Sequence, residues 1–85
     1  MFYVYILKSN KDGKLYIGYS NNLRKRFREH NLGLVESTKS RMPLRLVYYE
    51  AYTLEEDATK REHNLKLRAK ALKQLMLRIK ASVRA

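Results

Sequence analysis

Glu62 sits inside an apolar stripe traced by Ala58, Leu65 and Ala69. A carboxylate on such a face is costly unless it is paired or binds a metal. Two partners suit it: the guanidinium of Arg26, brought from another segment, or a divalent cation. The nearer cations Lys60, Arg61 and Lys66 lie off the stripe or at its margins. The chain has no cysteine and only 2 histidines, which excludes a closed zinc site. A single carboxylate suits Mg2+, which often takes one or two carboxylates and fills its sphere with water and phosphate oxygens.

A second group of candidates lies in NLRKRFREH, residues 22–30. Leu23 and Phe27 define a helical apolar stripe, with Arg26 and His30 as neighbours on its edge. Arg24, Lys25 and Arg28 point away and suit diffuse contact with a phosphate backbone. Arg26 and His30 aim toward the sheet, where a charge needs a partner. Arg26 is there either for a structural ion pair or for function. His30 is either a helix C-terminal cation or a functional group.

The third group belongs to a hairpin. Asp12-Gly13 is a strong turn signal between two apolar runs. With those two residues as the loop, Lys11 pairs with Lys14, and Tyr5, Tyr16 and Gly18 share one face. Gly18 then leaves a gap near Tyr16. That gap either admits a ligand close to the backbone or marks a bulge among core tyrosines. The loop 34–43 carries Lys39 and Arg41 among Ser37, Thr38 and Ser40. This composition suits phosphate contacts, and equally a solvated loop.

These side chains need elements to hold them. Residues 2–7, FYVYIL, read as a strand covered on both faces and central in its sheet. Residues 14–19 return as its hairpin partner. Asn21 or Asn22 caps a helix that runs to about Asn31 and stops at Gly33. Residues 44–49 form a third strand. Thr53-Leu54-Glu55-Glu56 is a capping box. After it, Ala58, Leu65, Ala69, Leu72, Met76, Ile79 and Val83 recur at helical spacing. No Gly or Pro interrupts them, which favours one continuous helix, while compactness favours a bend near 67–71. The order is strand, strand, helix, strand, helix, helix: an α+β domain around a small, largely antiparallel sheet. A length of 85 residues suits a single domain, 1–85.

Lys and Arg total 19 against 8 acids, a net charge of +11. That excess favours a polyanionic partner, nucleic acid ahead of a membrane surface or an acidic protein. MFYVYIL lacks a basic n-region and reaches Lys8 at once, so it reads as neither signal peptide nor membrane span. With no cysteine, the expectation is a cytoplasmic protein with no membrane partner.

Taken in order, these residues resemble the GIY-YIG nuclease superfamily. Tyr3-Val4-Tyr5 stands where the first motif belongs, with Tyr3 in place of its glycine, and Tyr16-Ile17-Gly18 is the second motif intact. Ser20-Asn21-Asn22-Leu23 leads into Arg26 and His30, fitting the N-L-x-x-R-x-x-x-H run. Ala58-x-x-x-Glu62-x-x-Leu65-Lys66 fits the segment of the metal-binding glutamate. Ser37–Arg41, Pro43 and Leu46–Tyr52 are similar to the small stand-alone bacterial members. The resemblance implies a three-stranded antiparallel sheet flanked by helices. It also implies metal-dependent hydrolysis of phosphodiester bonds in DNA, ahead of RNA, with low sequence specificity. Repair or recombination would be the setting. It makes Glu62 the ligand of Mg2+ (or Mn2+), and Arg26 the group that neutralises the scissile phosphate. Tyr16 or Tyr5 would deprotonate or position the attacking water, with Arg26 and the metal lowering the phenol's pKa, and His30 would assist proton transfer. Gly18, Arg24, Lys25, Arg28, Lys39, Arg41 and Lys66 are the expected nucleic-acid contacts.

Two other readings use the same chain. One is a non-catalytic nucleic-acid-binding module that kept the fold. The other is an interaction protein that docks or dimerises through residues 66–84, whose apolar stripe and basic faces suit core, dimer seam or nucleic-acid contact. Core is favoured, because a three-stranded sheet needs a cover.

Overall fold

The computed structural model describes residues 1–85. Strand β1 (Phe2–Ser9) is the centre of an antiparallel sheet, with β2 (Leu15–Ser20) and β3 (Leu44–Tyr52) at its edges. Val4, Tyr5, Ile6 and Leu7 are all buried, as an uninterrupted apolar run requires when both faces are covered. The third strand continues past the expected 44–49 through Glu50-Ala51-Tyr52. Glu50 can stand in it because Arg61 binds its carboxylate.

The hairpin register differs from that of a two-residue Asp-Gly turn. Leu7 pairs with Tyr16 and Tyr5 with Gly18, and Ser9 N–H bonds to Lys14 O. The loop is therefore residues 10–13, closed by Gly13 at φ +73°. Ser9 Oγ accepts from the N–H groups of Lys11 and Asp12, a local alternative that lengthens the turn. The slip is even, so faces are preserved. Tyr5, Tyr16 and Gly18 still share one side.

Helix α1 (Leu23–Asn31) begins where Asn22 Oδ1 accepts from Lys25 N–H at 3.1 Å. It ends with Gly33 at φ +75°. Gly33 N–H bonds to His30 O and Leu34 N–H to Glu29 O, the two closing bonds of a Schellman motif. The capping box at Thr53 does not form. Helix α2 (Glu55–Leu67) starts after Leu54 with no side-chain cap. Glu55, Glu56 and Asp57 in its first turn complement the helix dipole instead.

The long apolar stripe is bent, not continuous. Arg68 takes extended backbone (φ −112°, ψ 100°), and α3 (Ala69–Arg78) folds back from it. A short α4 (Lys80–Arg84) follows. Thirty helical residues in a row would span about 45 Å, whereas the molecule's longest extent is 28 Å. The bend resets the helical phase: Ala69 is exposed, and Leu75 takes the buried place in the core. Helices α2 and α3 cover one face of the sheet, where Val4, Ile6, Ala58, Leu65 and Leu75 pack together. From residues 66–84, Ala71, Leu75, Met76 and Ile79 pack into that core, while Leu67 and Leu77 stay exposed. On the opposite face, α1 packs Leu23 and Phe27 against Tyr5, Leu7 and Leu44. No helix is long and apolar enough to cross a membrane.

Candidate active site

Tyr5 is the pivot of the α1 face. It is 1% exposed, and its ring lies over Gly18 of β2. A Cβ at Gly18 would fall 2.8 Å from Tyr5 Cε2 and closer still to Cζ and the hydroxyl. The gap expected beside Gly18 is therefore filled by the Tyr5 phenol; glycine is there because that ring needs the space.

The Tyr5 hydroxyl is hydrogen-bonded to His30 Nε2 at 2.8 Å, and His30 Nδ1 to Thr38 Oγ1 at 2.7 Å. His30 and Thr38 are fully buried. A neutral imidazole donates through one nitrogen and accepts through the other, so the two bonds leave neither unsatisfied. Burial, helped by Arg26, pushes the imidazole down to about 4. His30 is thus neutral at physiological pH and does not act as a helix C-terminal cation. Tyr16 completes the aromatic cluster, with ring centroids 5.0 Å from His30 and 6.4 Å from Tyr5. Tyr16 is half-buried.

Electrostatics sets the protonation of the Tyr5 phenol. Burial, then the neighbouring Tyr16, pushes Tyr5 up to about 12; Arg26 opposes this, and Glu62 adds to it. The expected lowering by Arg26 is real in direction but outweighed by desolvation. The Tyr5 hydroxyl is also already engaged by His30. The expectation that Arg26 makes Tyr5 a usable base at neutral pH is corrected accordingly.

Arg26 is half-exposed and paired with Glu29 at 3.2 Å. Glu62 pairs with Lys66 at 3.1 Å, one helical turn on. The expected Arg26–Glu62 pair is thus absent, because each finds a closer partner on its own helix. Glu62 nevertheless belongs to the same neighbourhood. Its helix packs against the other face, but its charge is felt at both Tyr5 and Tyr19. Its side chain is 23% exposed, so it is open to solvent ions.

The chain has no group of three metal-ligating side chains. One partly open carboxylate fits a hard cation that draws its other ligands from water and phosphate oxygens, and does not fit a protein-enclosed ion.

The other expected contacts fall into two sets. Arg24, Lys25 and Arg28 are exposed on α1 and take part in none of the ion pairs. The loop 34–43 is a brace, contrary to a purely solvated segment. Arg41, at the end of a single 3-10 turn (Lys39–Arg41), pairs with Asp12 at 3.0 Å, and its carbonyl accepts from Ser9 Oγ at 2.7 Å. Lys39 is exposed and only loosely paired with Glu36 at 3.7 Å. Lys66 is committed to Glu62.

Residues 1–75 match the GIY-YIG catalytic domain family. This chain belongs to the GIY-YIG family. Among its relatives is a UPF0213 protein of Clostridium perfringens, 46% identical over 67 residues, 78% of this chain and 71% of that one. A UPF0213 protein of Staphylococcus epidermidis is 42% identical over 76 residues, 88% of this chain and 92% of the relative. The solution NMR structure of a UPF0213 protein from Bacillus halodurans is similar at 35% identity and a TM-score of 0.56. It covers 89% of this chain and 83% of that one. GIY-YIG domains are nuclease-type hydrolases, generally metal-dependent, whose substrate is nucleic acid.

In this GIY-YIG chain, three features were not singled out from sequence as parts of the site. Thr38 is the second anchor of His30, and a threonine eight residues downstream carries no signal for that. Glu50 binds Arg61 through Nε and Nη2 and also accepts from the Tyr48 and Tyr52 hydroxyls. Burial opposes its charge, but Arg61 and the two phenols hold its carboxyl below the ordinary range. This cluster ties α2, and with it Glu62, to β3. The third feature is a groove beside Tyr3, taken up below.

Proposed function

We propose that this GIY-YIG protein is a Mg2+- or Mn2+-dependent endonuclease that hydrolyses phosphodiester bonds in DNA, ahead of RNA, with low sequence specificity. The observation that supports the proposal is the cluster of two phenols and a neutral imidazole, with the Arg26 guanidinium and the Glu62 carboxylate close enough for their charges to reach Tyr5. Each has a task. Arg26 neutralises charge on the scissile phosphate through charge-assisted hydrogen bonds. Tyr16, whose hydroxyl makes no hydrogen bond within the protein, orients the attacking water through its oxygen. Tyr5, protonated at neutral pH, holds the geometry of the cluster. His30 fixes the Tyr5 hydroxyl and offers a neutral nitrogen for proton exchange with it. Glu62 holds the cation, which when bound supplies charge stabilisation at the leaving oxygen. Arg24, Lys25 and Arg28 hold the backbone alongside. A cytoplasmic setting in DNA repair or recombination is compatible with a basic, cysteine-free chain.

The test is cleavage of supercoiled, linear and branched DNA and of RNA, in Mg2+ or EDTA, by wild type and Glu62→Ala. Metal-dependent cutting that Glu62→Ala loses, with unchanged circular dichroism and nucleic-acid affinity, is the expected result. A folded wild type that binds nucleic acid and cuts none of these substrates would refute the catalytic reading and leave a binding module.

A further inference from the structure

On the α1 face, beside Tyr5, lies a groove of about 580 Å3. Tyr3 and Tyr49 line it, their rings edge to face with centroids 6.1 Å apart. Phe27 of α1 also lines it, together with Arg24 and Asn21. Tyr49 is 53% exposed, a large apolar ring open to solvent on an otherwise packed face. Among these residues only Arg24 has a task in the site described above, as a backbone contact.

We propose that this groove takes an unpaired nucleobase, from the nucleotide next to the phosphate held at Arg26. The inference rests on the nuclease reading and names its substrate class. An exposed aromatic ring is a stacking platform for any base, since every base has a π face. Tyr49 is paired with Tyr5 across β1 and β3, strands about 5 Å apart. The groove and the phenol cluster are therefore neighbours that one nucleotide can bridge. Charge selects the occupant. Arg24 lines the groove, Lys25 and Arg28 stand on the same helix, and none of the three has an acidic partner. A neutral apolar partner leaves those cations unanswered; a nucleotide answers them with phosphate. The Asn21 amide, free of hydrogen bonds in the fold, offers a donor and an acceptor to a base edge. A base stacked within a duplex cannot reach Tyr49. The substrate must therefore present an unpaired nucleotide beside the cut, as a single strand, a flap or a frayed end.

The experiment uses a short single-stranded DNA carrying 2-aminopurine, whose fluorescence falls on stacking. It is titrated in EDTA so that nothing is cut. Wild type and Tyr49→Phe should quench the probe. Tyr49→Ala should lose the quenching and bind about 5- to 150-fold more weakly, the range of one base–aromatic stack, while all three bind fully paired DNA alike. Tyr49→Ala that binds and quenches like wild type would overturn the proposal. So would a concentration-dependent dimer of the wild type that Tyr49→Ala abolishes, since the groove would then hold a second copy. Should Tyr49→Ala fail to fold, Tyr49→Trp carries the test. The chain has no other tryptophan, and an indole emission unmoved by bound single strand would overturn the assignment. A wild type that stacks the probe yet cuts nothing in Mg2+ would refute the nuclease reading and leave the groove assigned.

Discussion

Replacing Gly18 with alanine tests the packing that organises the candidate site. The added Cβ would fall 2.8 Å from Tyr5 Cε2 and nearer to the ring's outer end. Tyr5 is 1% exposed and bonded to His30, so the ring cannot step aside without leaving its partner. Overpacking a well-filled core costs about 1–3 kcal/mol. Pulling the phenol from a buried imidazole adds about 1–3 kcal/mol for the group left unsatisfied. We expect a loss of about 3 kcal/mol. In a domain of this size each kcal/mol shifts Tm by about 4–8 °C, so Tm should fall by about 12–24 °C. Thermal and urea unfolding followed by circular dichroism measure it. Adding Tyr5→Leu removes the atoms that clash, so the double variant should be less destabilised than the sum of the singles by about 1 kcal/mol or more. A Gly18→Ala protein within about 0.5 kcal/mol of wild type, or strict additivity in the double variant, would refute the reasoning.

Three further outcomes follow from the same geometry. His30 has its folded pKa lowered from 6.5 to about 4. Between those values the unfolded chain takes a proton that the native imidazole refuses, so stability is complete above 6.5 and is lost as pH falls toward 4. We expect about 3 kcal/mol across that window. Urea midpoints of wild type and His30→Gln from neutral pH to about pH 4.5 check it; equal slopes would contradict it. Glu50→Gln leaves Arg61 without its counter-charge and should cost about 2 kcal/mol in a half-buried setting. Cleavage should fall as well, because α2 loses its tie to β3; unchanged Tm and rate would count against the tie. Asn22→Ala removes the cap of α1 and should cost about 1 kcal/mol, seen as a Tm lower by about 4–8 °C.

Much of the fold was legible because it follows from local rules. The unbroken run FYVYIL is a central strand, Asn22 caps α1, and Gly33 ends it. What misled was local chemistry with a rival. Asp12-Gly13 signals a two-residue turn, but Ser9 Oγ captures two backbone N–H groups and lengthens the loop. Thr53 has the spelling of a cap, yet the helix begins one residue too late to use it. For the candidate site, Tyr5, Tyr16, Arg26, His30 and Glu62 could be singled out from type and spacing. Their partners could not. Arg26 and Glu62 look complementary along the chain, but each pairs within its own helix, where a neighbour one turn away is already held in place.

By itself the sequence determined the order of the main strands and helices, the alternation of faces that puts Tyr5, Tyr16 and Gly18 together, and the family. Those depend on residue type, period and order along the chain. The tertiary structure alone decided that the space over Gly18 belongs to Tyr5, that Thr38 anchors His30, and that α2 and α3 part at Arg68. It also decided the charge states, keeping Tyr5 protonated and His30 neutral. The reason is desolvation: a pKa reports how much water a group has lost and which charges replaced it. That is a property of residues brought together from distant positions in the chain.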